Sequence, residues 1–519
     1  MLASILLLIQ IAAGPPDVVV TRWVSPDNSK PITFRKWRST LTPQPWQVKT
    51  VMPGRGFDGR LDVFVQESLV APLRPALETL ASDLARETCD VAVFSVSGRS
   101  AESLKAFLVS EYQTGMTSAL LVGDLPVAWF QLIDDWNGNG HRDSADGDVY
   151  EEFPCDLYFS DMNGIWADNM VRLDTLDSLV PGTDSIYDSH TGDISPEIAL
   201  GRLPASAIGN DTTLLTRYFD KDHRYRTGQL NVTDRALVYI DDDWVPEAVQ
   251  WDSNVGMLYP DRVFISDSET TRILDYRPRI DTAAYQWISL MSHSWPGGHA
   301  MKYNHGQSWD WFYATQIPSL DPAACFYNLF ACSNARFVEP GFCGGCYVFQ
   351  TSTGLGAVGS TKTGSMLEFQ DFYYSLSVGN GIGQALTDWF FWRFYDGCQS
   401  WERSWYYGMC CIDDPTLRPR VHVTGTAEQH AMLPAALSLR LLSSPVRGLL
   451  SVEATSDGTA PCRVLLADAS GRIAATLFSG RLSGPRRFSV ETGSLPAGIY
   501  HVILQAGILR ASVSTAILR

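Results

Sequence analysis

With 519 residues the chain is too long for one core, and its length alone suggests about three domains. Forty basic residues against 57 acidic ones leave a net charge of −17, a field that repels phosphate backbones and argues against a nucleic-acid partner. A hydrophobic content of 45%, with 11% aromatic and 19% charged residues, excludes disorder and coiled coil.

The first element is an apolar run within residues 1–14 that ends in small residues and is too short to span a bilayer. It reads as the core of a secretory signal peptide over 1–19, without a basic start, so the chain is expected to be exported. No later stretch reaches about 18 uncharged apolar residues, and no integral membrane segment is expected. Residues 20–59, rich in Pro, Arg and Trp, read equally as a pro-segment or as an irregular N-terminal extension.

Residues 61–65 read as a strand, and Leu69, Leu73, Leu77, Leu80 and Leu84 then recur on one face of a helix. Residues 91–94 form the next strand, Ala101, Leu104, Leu108 and Tyr112 mark another helix, and 120–122 are a buried strand of the parallel kind. Further strands are expected at 198–200, 236–240, 263–265, 287–291, 326–331 and 357–359, with helices at 206–225 and 383–395. Strands alternating with helices predict an α/β architecture with mostly parallel sheets, in two parts at 60–227 and 228–425. From 436 to 519 the runs are short, alternating and split by Gly, Ser and Asp turns, which predicts a small all-β sandwich.

Ten cysteines are too few for a disulfide scaffold at this length, yet a few bridges are expected in an exported protein. Cys343, Cys346, Cys398, Cys410 and Cys411 form a local pool. Cys343-Gly-Gly-Cys346 lacks a second CxxC and a His at finger spacing, which argues against zinc or redox chemistry.

In a parallel sheet, function gathers at the carboxyl ends of strands. His293 follows the strand at 287–291, and Cys332 ends the run 326–331. A thiol at neutral pH is only slightly ionised, so a nucleophilic Cys needs an imidazole beside it, and two strand ends can supply the pair. His299 and His305, in a Gly-rich loop past the first strand end, rank below His293.

These segments resemble the gingipain-like cysteine peptidases, whose catalytic fold is related to that of the caspases. The family carries successive strands ending in His-Gly and Ala-Cys, and this chain has Ser-His293-Ser294 and Ala-Cys332-Ser-Asn. Leu120-Leu-Val-Gly-Asp124, Pro196-Glu-Ile-Ala-Leu-Gly-Arg-Leu-Pro204, Gly359-Ser-Thr-Lys-Thr-Gly364 and Asp414-Pro-Thr-Leu417 add to the likeness, which spans roughly 60–420. The resemblance implies Cys332 as nucleophile and His293 as general acid/base. It also implies an oxyanion hole made by the backbone N–H groups of Ser294 and Cys332, with Ser294 in place of the usual Gly. An acid in the S1 pocket is implied near the end of the first strand of the second part, where Asp241, Asp242 and Asp243 stand together. They read as partners for a basic P1 side chain, or as solvated strand-end acids or calcium ligands.

The best metal signal is the segment Asp135 to Asp146. Asp135, Asn137, Asn139, Asp143 and Asp146 occupy positions 1, 3, 5, 9 and 12, Gly140 sits at 6 and the His141 carbonyl at 7, the oxygen set of a structural Ca²⁺ loop. Asp161-Met-Asn163-Gly164 is a fragment of a second such loop. Gly359–Gly364 lacks the Lys-Ser/Thr pair of a phosphate loop, and HExxH and GxSxG are absent. The aromatic run at 389–395 reads as a buried helix.

At the C-terminus, Ser444-Pro-Val446, Asp468-Ala-Ser-Gly471 and Leu495-Pro-Ala-Gly-Ile-Tyr500 resemble the sorting domain of the type IX (Por) secretion route, with a generic binding module as the alternative. That likeness implies the outer-membrane secretion machinery as a partner. The reading as a whole is a secreted, calcium-containing cysteine endopeptidase acting on protein or peptide substrates at or beyond the cell surface. The alternative is a catalytically silent, calcium-stabilised cell-surface binding protein on the same fold.

Overall fold

The computed structural model describes residues 23–54, 59–139, 148–173, 178–394, 397–420, 438–442, 446–468, 473–493, 495–506 and 509–518. The expected signal peptide lies outside them, and no described helix is long and apolar enough to cross a membrane.

The first part is built on β1 (Gln47–Met52), β2 (Arg60–Gln66), β3 (Asp90–Ser97), β4 (Met116–Val122) and β5 (Ala199–Leu203), in the order β1-β3-β2-β4-β5. All pairings are parallel except that of β1 with β3. The crossover between β2 and β3 is α1 (Glu67–Arg86), whose five leucines are at most 3% exposed. Each such burial stabilises by about 1.5–3 kcal/mol, which is why the leucine stripe alone places this helix on the sheet. α2 (Ala101–Tyr112) starts from Ser100, whose hydroxyl accepts the Ser103 N–H. α3 (Asp211–Arg226) starts five residues later than the expected 206, because Asn210 caps the Thr213 N–H.

The N-terminal extension is neither separate nor wholly irregular. β1 is an edge strand of the first sheet, and upstream of it the Ile32 and Phe34 N–H groups donate to Glu339 and Glu152. The buried Arg336 guanidinium donates in turn to the carbonyls of Ile32 and Glu152, so residues 32–34 are fastened to the second part of the chain.

The second part holds β6 (Ala236–Ile240), β7 (Arg262–Ile265) and β8 (Tyr285–Met291), then a hairpin sheet of β9 (His293–Trp295), β10 (Gly298–Tyr303) and β11 (Ser308–Tyr313). β12 (Ala324–Phe330), α4 (Cys343–Phe349), β13 (Gly356–Ser360), α5 (Ile382–Phe394) and β14 (Met409–Ile412) complete it. The main sheet runs β7-β6-β8-β12-β13-β14, parallel except for β14. Every residue of β8 and β12 is buried, as expected of a strand covered on both faces. The two sheets meet where β5 passes the end of β14. There Gly201 lies so close to the Asp413 carbonyl that a Cβ would come within 2.3 Å of it. α5 buries Trp389, Phe390, Trp392 and Phe394, as the aromatic run predicts.

No disulfide forms: all ten cysteines are free, against the expectation of a few bridges. Cys343, Cys346 and Cys410 are buried in one hydrophobic core, and Cys411, next to Cys410 on β14, turns into another.

Beyond residue 437 the expected sandwich is one continuous antiparallel sheet of β15 (Ser438–Leu441), β16 (Leu449–Asp468), β17 (Ile473–Glu491), β18 (Gly498–Ala506) and β19 (Leu509–Ile517). The runs around 449–452 and 464–466, read as separate strands, are the two ends of β16. One edge of β16 carries β17, and its other edge carries β15 near the start and β18 near the end. Val452, Val464, Leu466, Val502 and Leu504 give this part its own core.

Candidate active site

Sheet register brings the two expected reactive residues to one level. β8 and β12 are neighbours with Met291 opposite Phe330, and the Ser292 N–H continues the ladder to the Phe330 carbonyl at 3.0 Å. His293 and Cys332 each lie two residues past those partners. The Ser294 hydroxyl donates to the Cys332 carbonyl at 2.6 Å, and the Asn334 amide donates to the carbonyls of Trp295 (2.8 Å) and Gly298 (3.1 Å). The loop after Cys332 is thus stitched to the hairpin that begins with His293. Ser333 takes a left-handed φ of 59°, a conformation costing an L residue about 1–2 kcal/mol, and turns the chain sharply just past the thiol.

Cys332 is a free, half-buried thiol. Burial pushes its pKa up, opposed by the N–H groups of Gly364 and of Cys332 itself, which favour the thiolate. The loop carrying Gly364 is held from below by Lys362, a fully buried ammonium paired with Asp134 at 3.0 Å and Glu151 at 2.8 Å. Burial alone would strip its proton; the two carboxylates outweigh it and raise its pKa. The Lys362 carbonyl also accepts the Ser333 N–H at 2.9 Å.

The His293 ring donates from Nε2 to Asp243 Oδ2 at 2.7 Å, since a carboxylate can only accept. That leaves Nδ1 with its lone pair, the tautomer that can receive a thiol proton. Burial lowers the His293 pKa, assisted by the nearby Lys302 ammonium and opposed by Asp243. For Asp243, burial works upward, but hydrogen bonds from Lys302 and His293 outweigh it and hold the carboxyl below its usual range. A neutral imidazole oriented by an ionised carboxylate results. The sulfur and the ring are not hydrogen-bonded to each other, and such contacts commonly tighten only when substrate is bound.

Asp241, Asp242 and Asp243, expected to face a basic P1 side chain, each have a partner within the chain. Asp241 is fully buried and accepts the N–H groups of Asp243 at 3.1 Å and Lys302 at 3.3 Å; burial raises its pKa to about 7. Asp242 accepts the Gly306 N–H. Asp243 serves His293 and Lys302. Its role was not legible in a run of three identical acids. The signal lies in the register, which sets Ile240 beside Met291 and so brings Asp243 and His293 out of the same sheet edge.

A family model for peptidase family C25 matches residues 73–420. The chain belongs to peptidase family C25. Members of this family are cysteine peptidases of the gingipain type. Among solved structures, the dimeric latent PorU from Porphyromonas gingivalis is 10% identical with a TM-score of 0.27, over 88% of this chain and 43% of that one. An engineered protein is 10% identical with a TM-score of 0.13, over 62% of this chain and 65% of that one. This chain therefore spans less than half the length of the PorU chain. No curated protein matches it.

Other residues of this C25 chain singled out from the sequence have separate fates. His299 is fully buried, 3.1 Å from the Tyr347 hydroxyl and 3.5 Å from the Cys343 sulfur. His305 is exposed and pairs with Glu269. In the expected calcium loop, Asp135 Oδ1 and Asn137 Oδ1 both accept the Asn139 N–H at 3.0 Å, while His141, Asp143 and Asp146 lie outside the described residues. Among the described residues no cluster of three or more His, Cys, Asp or Glu could hold a metal. Asp161, in the fragmentary second loop, is committed inside the protein. Its carboxylate accepts the N–H groups of Asn163 and Gly164, the Trp166 indole at 2.6 Å and the His190 ring at 3.0 Å.

Proposed function

We propose that this C25 peptidase is a secreted cysteine endopeptidase in which Cys332 is the nucleophile, His293 the general acid/base and Asp243 the residue that orients His293. The Cys332 sulfur attacks the scissile carbonyl carbon as His293 Nδ1 takes its proton. The carbonyl electron pair moves to oxygen and is received by the N–H groups of Ser294 and Cys332. Collapse breaks the C–N bond, and the proton on His293 goes to the leaving amine. Water then attacks the thioester, giving its proton to His293, and the carboxylic acid and the thiol are released. Ser294 in place of the family's glycine is compatible with this, because its side chain turns to the Cys332 carbonyl and is 2% exposed.

The observation that carries the reading is the 2.7 Å bond from Asp243 to the His293 ring beside an unbridged Cys332. Turnover of reporter peptides under reducing, calcium-containing conditions, with Cys332→Ala as the control, tests it. Equal rates for the two proteins overturn it in favour of a silent, calcium-stabilised binding protein.

Two further roles belong to the same proposal. Asp135, Asn137, Asn139, Asp143, Asp146 and the His141 carbonyl would hold Ca²⁺ as a structural ion; the all-oxygen donor set and the turn at Asn139 fit a hard cation. Saturation at about 100 times Kd adds about 2.7 kcal/mol, so a chelator lowers Tm and added Ca²⁺ restores it. A Tm indifferent to both removes the ion. The signal peptide over 1–19 and the β-rich part over 436–519 would route the chain through the outer-membrane secretion machinery. Deletion of 436–519 is then expected to leave the protein on the inner side of that membrane, and unchanged localisation refutes the sorting role.

A further inference from the structure

The hairpin sheet that begins with His293 carries an aromatic face. Strand alternation and register put His293 and Trp295 of β9, Gly298, Ala300 and Lys302 of β10, and Trp309, Trp311 and Tyr313 of β11 on one side. The opposite side, with His299, Met301 and Phe312, enters the core. The outward face of a half-covered antiparallel sheet is ordinarily polar, yet this one is a chain of rings. Trp309 lies 5.2 Å from the His293 ring and stacks on Trp311 at 5.8 Å; Trp295 meets Trp311 and Tyr313, each at 5.7 Å. Small residues on β10 let the rings settle across it. At Gly298 a Cβ would come within 1.9 Å of the Phe312 carbonyl and 2.9 Å of the Trp295 ring.

The surface is continuous with the candidate active site and open to solvent. Trp309 is 38% and Tyr313 42% exposed, and among the described residues they are the two exposed large aromatics. The other exposed large side chains are aliphatic, among them Ile165, Val249, Leu274 and Val378. One charge selects the occupant. The Lys302 ammonium sits 5.1 Å over the Trp309 ring and pairs with Asp243, so an arginine or lysine seeking that ring has to displace a cation already held there. A neutral, flat or bulky apolar side chain gains ring contact and buried area without that penalty.

We infer that this face is a substrate subsite, which seats an aromatic or large apolar side chain of the polypeptide within a residue or two of the scissile bond. The inference rests on the peptidase reading and adds its substrate class: sequences rich in Phe, Tyr, Trp or Leu, not Arg or Lys, beside the cleaved bond.

Positional-scanning peptides read by kcat/KM test it. Wild type is expected to favour Phe over both Ala and Arg at one position by about tenfold or more, mainly through KM. In Trp309→Ala the Phe-to-Ala ratio falls to within about twofold of unity, while Trp309→Phe retains most of the preference. An unchanged ratio in Trp309→Ala, or a wild-type preference for Arg or Lys at every position, overturns the subsite. Binding of a fluorescent Phe-containing peptide to Cys332→Ala separates this inference from the reading beneath it. Trp309-dependent binding without wild-type turnover sinks the peptidase and keeps the subsite. Binding indifferent to Trp309 sinks the subsite whatever the turnover.

Discussion

Two Cys–His pairs lie close together in this chain, and they differ in almost everything except composition. Cys343 and His299 lie 3.5 Å apart and are sealed in the core against Tyr347 and Phe312. His299 has a buried Nδ1 without a partner, and burial alone drives its pKa down to about 3. The Cys343 thiol is pushed well up by the same burial. Neither charged form is affordable there, so proximity yields no thiolate. Cys332 and His293 stand at the open sheet edge, where Asp243 fixes the imidazole and N–H groups stand ready for the sulfur's charge. On the proposed mechanism, access and a third, charged residue separate the working pair from the sealed one.

The comparison breaks most decisively at the sulfurs. Cys332→Ala is expected to lower peptide turnover by roughly 10⁴-fold or more, while Cys343→Ala stays within about twofold. Mass spectrometry after brief iodoacetamide treatment of the native protein should find Cys332 alkylated and Cys343 untouched. The reverse pattern would exchange the roles of the two pairs.

Next in size is the carboxylate that only the open pair possesses. Asp243→Asn keeps the shape but loses the charge that supports the imidazolium, and kcat is expected to fall on the order of 10²- to 10³-fold with Tm little changed. A loss below about threefold would make Asp243 a surface acid.

The sealed pair should instead reveal itself in stability. A histidine whose folded pKa lies below its unfolded value of 6.5 stabilises the protein above pH 6.5, and that contribution is lost as pH falls from 6.5 toward 3. Between pH 6.5 and 5 the loss is about 1.6 kcal/mol. Urea unfolding of His299→Gln over that interval should give a correspondingly shallower pH dependence; a slope equal to wild type contradicts the neutral, buried ring.

The smallest effect belongs to Lys302. Its ammonium disfavours the imidazolium of His293, so Lys302→Met raises the His293 pKa. The acid limb of kcat/KM, where His293 protonates, then moves to higher pH. A limb that stays put would uncouple Lys302 from the ring.

Much of the central scaffold was legible because short apolar runs, once buried on both faces, have few alternatives to parallel strands. The leucine stripe of α1 and the strand ends before His293 and Cys332 were readable for that reason. The hairpin sheet at 293–313 was not, since its glycines and mixed pattern read as a loop, and with it went Lys302 and the aromatic face. β1 was hidden in a Pro- and Arg-rich segment, and cysteine spacing alone did not show that every thiol stays unbridged.

What the amino-acid order determined by itself was local: which segments are apolar enough to be strands, and that a His and a Cys follow two of them. Which of three consecutive aspartates meets the imidazole, and which of two Cys–His pairs faces water, were decided only in the folded chain. Strand register and sheet order bring together residues 50 and 39 positions apart, Asp243 with His293 and His293 with Cys332, and no local pattern encodes a pairing across such distances.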